Sequence, residues 1–441
     1  MNKTDYFKEL NSKIKNRKVI VGVIGIGYVG IQLLIQFSKA KIKTVGFDND
    51  RNKIKKLNKG ISPYTYINNK KIKSIKKYNF YTSDFSKVNL CDVIIICLPT
   101  PIRKNTKPDL SAIEITINKI KRFIKKGHLI ILESTTYPGT TREKIVKILN
   151  KDFLIGKEIF VSYSPERENP GSKIKFENIT KISSGYSNHC SLLSKAIYQK
   201  IVKKVISASS LEEAEMCKLL ENIYRSVNIG LINELKIILK PMNLDINQVI
   251  KLASTKPFGF ETFYPGPGVG GHCIPIDPYY LYWRAKQFNQ KAKFVKLAGD
   301  INIETTQWVT KNIIKILHKE SPNIRRKKIL ILGLAYKKNI EDIRESAAVK
   351  IIRILIKKNN IVNFSDPHAD YKCRTLRDKK SKNYIGNSKY IKVNKKNLLK
   401  YDCVVLVTDH DKFNYSIIKK YSRVLIDTRN RIYRKNNFYK L

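Results

Sequence analysis

The chain has 441 residues, and at about 150 residues per domain that length predicts two or three domains instead of one core. Its formal charge of +50, from 86 Lys plus Arg against 36 Asp plus Glu, attracts anions, but the cations are spread through every segment among Ile and Asn and form no aromatic-interleaved stripe. That argues against a specific nucleic-acid partner. The N-terminus has no signal-peptide apolar region, no apolar run approaches the roughly 18 residues that cross a bilayer, and the seven cysteines show no paired metal-ligand spacing. The expectation is a cytoplasmic, reduced protein with no metal and no membrane contact.

The first dozen residues and the Lys/Asn-rich stretch 371–396 read as low-complexity segments. Structure is expected from Lys18 onward. The apolar run Val19-Ile20-Val21-Gly22-Val23-Ile24 leads into Gly25-Ile26-Gly27-Tyr28-Val29-Gly30 and then a helical apolar pattern, the opening of a dinucleotide-binding unit. Gly25 makes the tight turn, Gly27 lets backbone approach a pyrophosphate, and Gly30 lets helix and strand pack closely. A second apolar run ends in Asp48, where an acid holds a ribose 2'-hydroxyl and repels a 2'-phosphate, so NAD is expected over NADP.

Strand-like runs at 91–97, 129–132 and 159–162 alternate with helical ones to about residue 205, which indicates a doubly wound parallel sheet. Ligand chemistry in such sheets lies past the strand C-termini. Three polar clusters stand there: Pro99-Thr100-Pro101, Glu133-Ser134-Thr135-Thr136, and Ser164-Pro165-Glu166-Arg167-Glu168. Each is ordinary turn chemistry alone, but all three following successive strands point to a shared site.

From Ser210 a long amphipathic helix runs to about Leu239, with Lys218 and Asn222 four apart on one face. In isolation that pair reads as solvated surface. Helical patterns continue to about residue 318, broken by Gly266-Pro267-Gly268-Val269-Gly270-Gly271-His272-Cys273-Ile274-Pro275-Ile276-Asp277-Pro278. A thiol after a glycine run with a carboxylate four residues on suits covalent catalysis, although a free cysteine in a Gly/Pro loop is more often a packing residue. A third unit opens with the strand and turn Ile329-Leu330-Ile331-Leu332-Gly333-Leu334-Ala335-Tyr336, which keeps one of three glycines and reads as a second sheet that no longer holds a dinucleotide. Lys337, Lys338 and Arg344 near it suit phosphates. The fold class expected is α/β: two Rossmann-type doubly wound domains, 1–209 and 320–441, joined by a helical middle domain, 210–319, with a long central helix.

The ordered combination of the Gly25–Gly30 turn, Ser164-Pro165-Glu166, Lys218 with Asn222, Gly270-Gly271-His272-Cys273 with Asp277, and Gly333 through Ser346 resembles the nucleotide-sugar 6-dehydrogenases over nearly the whole chain. That group includes UDP-glucose, UDP-N-acetylglucosamine and UDP-N-acetylmannosamine dehydrogenases. The resemblance implies a four-electron oxidation of a sugar C6 alcohol to the acid with two NAD⁺, through a cysteine thiohemiacetal and thioester, for surface polysaccharide precursors. It makes Cys273 the nucleophile and places Lys218 and Asn222 at the C6 oxyanion. Asp277 with a water becomes the base, and Glu166 the assistant in thioester hydrolysis, with Glu168 its neighbour. It also places NAD against Gly25, Gly27, Tyr28, Val29, Gly30, Asp48, Lys53, Thr100, Thr135 and Arg344. The UDP-sugar falls to Glu166, Lys218, Asn222, Gly270, Tyr336, Lys337 and Arg429, and the long helix to a homodimer. The arginine that glucose enzymes contribute across the dimer has no counterpart in 256–263.

His272 and Ile276, with Pro278-Tyr279-Tyr280-Leu281, resemble the N-acetylhexosamine branch, the UDP-N-acetylglucosamine enzymes above all. UDP-glucose, UDP-N-acetylgalactosamine and UDP-N-acetylmannosamine stay open as substrates. A single-step hydroxyacid-type dehydrogenase would need neither the thiol nor the second sheet, and a polyanion-binding protein would leave both motifs unexplained.

Overall fold

The computed structural model describes all residues except 1–4, 65, 104–105, 169–173, 272, 370–375, 377, 380, 382 and 434–435. The chain forms two compact units, Met1–Glu221 with Trp283–Gln290, and Asn222–Tyr282 with Lys291–Leu441.

The first unit is built on strands β1 (Ile20–Ile24), β2 (Lys43–Phe47), β3 (Asn79–Thr82), β4 (Val93–Ile96), β5 (Leu129–Leu132), β6 (Phe160–Tyr163), β7 (Lys181–Gly185) and β8 (Val205–Ser207). Their order in the sheet is β3-β2-β1-β4-β5-β6-β7-β8. Strand β1 has β2 on one side and β4 on the other, so the order reverses there, and the crevice beyond its C-terminal end is where such sheets bind ligands. β4 and β5 are buried along their whole length, as expected of strands covered on both faces. One pair departs from the all-parallel expectation, since β7 runs antiparallel to β6.

Helices α1 (Tyr6–Lys15), α2 (Tyr28–Lys39), α3 (Arg51–Asn58), α4 (Asn69–Ile75), α5 (Ser111–Ile120), α6 (Lys147–Leu149) and α7 (Asn188–Tyr198) join these strands. The first of them corrects the reading of the N-terminus as low-complexity. Asp5 caps α1 by accepting from Lys8 N, Leu10 and Ile14 are buried, and Lys13 pairs with Asp92 at 3.1 Å. In the stretch 371–396, Leu376 and Ile385 are buried and Tyr390 bridges to Phe364, so its described part is packed as well.

The long helix α8 (Leu211–Leu239) is followed by α9 (Ile246–Ala253), α10 (Asp277–Gln287) and α11 (Lys293–Glu320). Buried Asn302 on α11 ties it to α8, donating to Ser226 O and accepting from Asn233 Nδ2. The second sheet contains β9 (Lys328–Leu332), β10 (Ile361–Ser365), β11 (Cys403–Leu406), β12 (Val424–Asp427) and β13 (Phe438–Lys440), all parallel, in the order β10-β9-β11-β12-β13. Around it lie α12 (Ala347–Lys357), α13 (Lys395–Leu398) and α14 (Tyr415–Tyr421). Each sheet has its own apolar core.

Candidate active site

The glycine turn of the first unit has the geometry a dinucleotide needs. Gly25 has φ +92° and donates its N–H to Phe47 O at 2.8 Å, which fixes the turn to β2. A Cβ on Gly30 would lie 2.0 Å from Gly25 O, so only glycine lets α2 start this close to β1. A Cβ on Gly27 would meet nothing within 4 Å, and Gly27 caps α2 without a side chain, leaving open space at a helix N-terminus. Asp48, at the end of β2, accepts from Ile26 N and Lys53 Nζ on one oxygen and from Asp50 N on the other. Tyr28 stacks on Tyr66 with centroids 4.9 Å apart, the Tyr64 hydroxyl donates to Ile26 O, and Val29 packs on the core.

Past β4 and β5, Thr100 Oγ1 donates to Thr135 O at 2.7 Å and Ser134 Oγ accepts from Leu98 N, so the first two polar clusters are joined. Past β6, the Glu166 carboxylate accepts from Arg167 N and Glu168 N at 2.7 and 2.6 Å on Oε1, and from Lys181 Nζ at 2.9 Å on Oε2. Glu168 is pushed up to about 7, by burial first and by the Glu166 charge second. Lys218 is half-buried, one helical turn before Asn222 on α8.

In the second unit the cysteine loop is clamped on several sides. Gly268 and Gly271 have φ +114° and +86°, which requires glycine. A Cβ on Gly271 would lie 2.8 Å from the Tyr336 ring and one on Gly270 2.7 Å from Tyr336 Cβ, so the loop backbone lies directly on that tyrosine. Gly271 N donates to Arg344 O at 2.9 Å, while the Arg344 guanidinium pairs with Asp342 at 2.6 Å. The Cys273 carbonyl accepts from Ile276 N and Asp277 N and so opens α10. Buried Asn222 donates Nδ2 to Oδ2 of buried Asp277 at 2.5 Å. Tyr336 is pushed up to about 12 by burial, with Asp342 and Cys273 adding to the effect and Arg344 and Arg225 opposing it. Lys337 is held below the usual lysine range by burial and Arg225. His272 lies outside the described residues.

The base of the loop is pinned to α8. Gly266 N donates to Asn233 Oδ1 at 3.0 Å and Gly266 O accepts from Lys236 Nζ at 2.8 Å. Arg429, past β12, donates Nε to Val407 O at 2.7 Å, and its Nη1 lies 2.7 Å from where a Gly266 Cβ would stand. Lys236, Lys240, Trp308, Arg429 and Lys440 line a cavity of about 260 Å³ here. Lys236 is pushed down to about 7, first by burial and then by Arg429 and Lys240.

Residues 19–202, 212–304 and 330–434 match the NAD binding, central and UDP binding domains of the UDP-glucose/GDP-mannose dehydrogenase family. The chain belongs to this family. It is 36% identical over 351 residues to the UDP-N-acetyl-D-glucosamine 6-dehydrogenase of Pseudomonas aeruginosa, covering 79% of this chain and 82% of that one. It is 33% identical over 441 residues to the UDP-N-acetyl-D-mannosamine dehydrogenase of Methanococcus vannielii, covering 95% and 94%. Among solved structures, the UDP-D-ManNAc dehydrogenase of Pyrococcus horikoshii superposes with a TM-score of 0.84 at 30% identity, covering 96% and 98%.

The protein is therefore an NAD-dependent enzyme of the UDP-sugar dehydrogenase family, with a three-domain fold of two parallel-sheet α/β domains and a helical middle domain. The residues fit the cofactor, because the open position over Gly27 leaves room for a pyrophosphate and Asp48 stands at the end of β2, where a ribose carboxylate belongs. In this UDP-sugar dehydrogenase the sequence reading passed over Arg225, Asn233 and Lys236. They sit in an amphipathic helix where a cation or amide normally faces solvent, and among 86 Lys plus Arg no charge signal singles them out. Tyr64 and Tyr66 were also missed, since their contact with the glycine turn depends on chain folding over about 40 residues.

Proposed function

We propose that the enzyme oxidises the C6 alcohol of a UDP-N-acetylhexosamine, UDP-N-acetylglucosamine first, to the uronic acid in two successive oxidations, supplying a precursor of surface polysaccharide. The observation that carries this reading is the loop of the second unit. Its glycine backbone lies on Tyr336, the Cys273 carbonyl opens its helix, and that helix begins with an aspartate already bonded to Asn222. Bound NAD⁺ supplies the hydride acceptor for each oxidation. Asp277, through a water, takes the hydroxyl proton in the first. Cys273 Sγ then adds to the aldehyde carbon, and oxidation of the thiohemiacetal leaves a thioester. Lys218 and Asn222 stabilise the negative oxygen on C6, and Glu166 assists the water that releases the acid and restores the thiol. Tyr336, Lys337, Gly270 and Arg429 hold the UDP-sugar, and Arg344 contributes to the cofactor site. Domain limits of 1–209, 210–319 and 320–441 remain our division.

The run Pro275-Ile276-Asp277-Pro278-Tyr279-Tyr280-Leu281 supports the N-acetylhexosamine branch, and relatives named for both N-acetylglucosamine and N-acetylmannosamine stand at similar identity. A homodimer is supported by the exposed apolar row Tyr224, Leu231 and Ile238 on α8 with Val249 and Leu252 on α9. A cytoplasmic enzyme agrees with the absence, among the described residues, of a helix long and apolar enough to cross a membrane.

Counting NADH per sugar tests the chemistry: two are expected, and one would leave only a simple alcohol dehydrogenase. Cys273→Ser should lower acid formation about a thousandfold with NAD⁺ affinity unchanged, and wild-type turnover by that variant would rule out the covalent route. A kcat/KM panel over the UDP derivatives of glucose, N-acetylglucosamine, N-acetylgalactosamine and N-acetylmannosamine tests the sugar. UDP-glucose ranking first would refute the branch assignment, while loss of acetamido contacts should cost it about 1–3 kcal/mol.

A further inference from the structure

The first unit buries a cluster of charge at the ligand edge of its sheet, and of its members the chemistry above uses only Glu166. Glu133 follows β5, Glu166 follows β6, and Lys181 is the first residue of β7. Because β7 runs antiparallel to β6, its first residue stands at the edge where β6 ends, and a lysine there reaches both carboxylates. Lys181 Nζ is 2.9 Å from Glu166 Oε2 and 3.2 Å from Glu133 Oε1, with the lysine and Glu133 side chains almost wholly buried. Tyr198, at the end of α7, donates its hydroxyl to Glu133 Oε1. Among the described residues Glu133 Oε2 has no hydrogen-bond partner.

We propose that Lys181 is a positioning residue for Glu166, held in place by Glu133 and Tyr198, and that it keeps the Glu166 carboxylate in one orientation and one charge state for the hydrolytic step. The inference rests on the assignment of Glu166 to that step. A carboxylate that guides water must not rotate and must not be protonated. Here two N–H groups fix one oxygen and the ammonium fixes the other. Burial pushes Glu166 up, yet Lys181 and the two N–H groups outweigh it and leave the group below its ordinary value. Two carboxylates share one ammonium, so the less supported of them is the first to be neutralised by a proton. That is Glu133, pushed up to about 7 chiefly by burial, against the pull of Lys181 and with the Glu166 charge adding to it.

The other groups facing the cluster do not alter this order. The Tyr198 phenol and the Cys97 thiol are both pushed well up by burial and stay neutral, and Arg167 is committed to Thr180 O and Glu221. Glu168, with Lys71 acting on it, takes its proton near 7 and leaves Glu166 the carboxylate that persists in acid.

The test uses the full-length enzyme and the pH dependence of kcat for acid formation, with Lys181→Met, Lys181→Arg, Glu133→Gln and Glu166→Gln. Thermal melting and NAD⁺ affinity serve as folding controls. Since Glu166 must be ionised to assist water, activity falls off on the acid side at its pKa. Lys181→Met should move that acid limb up by at least about one pH unit, the size of effect an opposite charge has at this range. Lys181→Arg should restore it. Glu133, raised to about 7, is already neutral on that limb, and a glutamine keeps an oxygen that can accept from Lys181, so Glu133→Gln should leave the limb in place. A Lys181→Met limb that coincides with wild type overturns the proposal. So does an upward shift in Glu133→Gln, which is the outcome that counts if Lys181→Met does not fold. Wild-type kcat in Glu166→Gln refutes instead the assignment of Glu166 on which the proposal rests.

Discussion

The chain contains the same turn twice, and only one copy is built to hold a dinucleotide. Gly25 N donates to Phe47 O at 2.8 Å, and Gly333 N donates to Ser365 O at 2.8 Å, with φ +92° and +87°. Each turn is followed by an aspartate at the end of the neighbouring strand, Asp48 in one and Asp366 in the other. The two carboxylates have different employment. Asp48 accepts from Ile26 N, Lys53 and Asp50 N and retains 13% of its side-chain exposure. Asp366 is fully buried and accepts from Leu334, Ala335, His368 and Ala369 N–H groups and from His410. No lone pair is left for a ribose. The helix differs too: α2 starts at Tyr28, whereas α12 starts only at Ala347, after the segment whose Tyr336 and Arg344 hold the cysteine loop. A dinucleotide turn thus needs a carboxylate that is still partly open and an immediate helix N-terminus, and the second copy has buried the one and displaced the other.

The largest effect is expected at Gly30. Gly30→Ala puts a methyl 2.0 Å from Gly25 O, a backbone atom that cannot move without opening the turn. NAD⁺ binding by calorimetry should be lost or weakened by at least about a hundredfold, roughly 3 kcal/mol. Binding within threefold of wild type would show that the turn does not carry the pyrophosphate.

On folding stability, as distinct from binding, the large effect belongs to Asp366→Ala, which strips a buried histidine and four N–H groups of their acceptor. A loss of about 3–5 kcal/mol in urea unfolding is expected, with NAD⁺ affinity unchanged. Burial raises the Asp366 pKa, but the His410 bond and the backbone donors more than offset it, so the folded value lies below the ordinary 3.8. Its contribution is therefore present above the unfolded pKa and lost as pH falls through the folded one. Acid unfolding of wild type should accordingly show a transition below pH 3.8 that Asp366→Asn lacks; identical acid limits would place the stabilisation elsewhere.

These two turns also show what could be read from residues alone. The Gly-x-Gly-x-x-Gly spacing and the missing glycines at Ala335 and Lys338 were legible, because each glycine answers a local steric demand. The long helix to Leu239 was legible from its period. The commitment of Asp366 was not, since His410 lies 44 residues away and nothing local marks it as a partner. The antiparallel β7 was likewise invisible, and with it the placing of Lys181 beside Glu166. Strand direction is set by chain return and packing, while the residues Lys181-Ile182-Ser183 fit either sense. Helix α1 was passed over because two buried apolar residues in ten make a faint signal against a charged N-terminus.

A smaller change is expected from Asp48→Ala. The carboxylate that remains partly open in the first turn should accept from the NAD⁺ ribose and repel a 2'-phosphate. Its removal should weaken NAD⁺ by about tenfold and narrow the preference over NADP⁺, measured as the ratio of kcat/KM values. Lys53, which pairs with Asp48 at 2.7 Å, would then be free to attract the phosphate, so Asp48→Ala with Lys53→Ala should narrow the ratio less. An unchanged ratio in both variants would move the ribose away from Asp48.

The smallest effect sharpens the comparison most. Ala335 stands where Gly27 stands in the first turn, and its Cβ is the obvious candidate for what excludes a dinucleotide. If that were the whole cause, Ala335→Gly would restore a second binding site. The structure argues otherwise: Asp366 would still be committed to Leu334 and residue 335 N–H, Thr408 Oγ1 would still donate to the residue 335 carbonyl, and α12 would still begin at Ala347. Removing one buried methyl and freeing the unfolded backbone should cost about 1–2 kcal/mol, a few degrees in Tm. Calorimetry should still find one NAD⁺ per chain. A second equivalent would mean that the glycine alone separates the two turns, and that the buried carboxylate and the displaced helix follow from the substitution instead of preventing binding themselves.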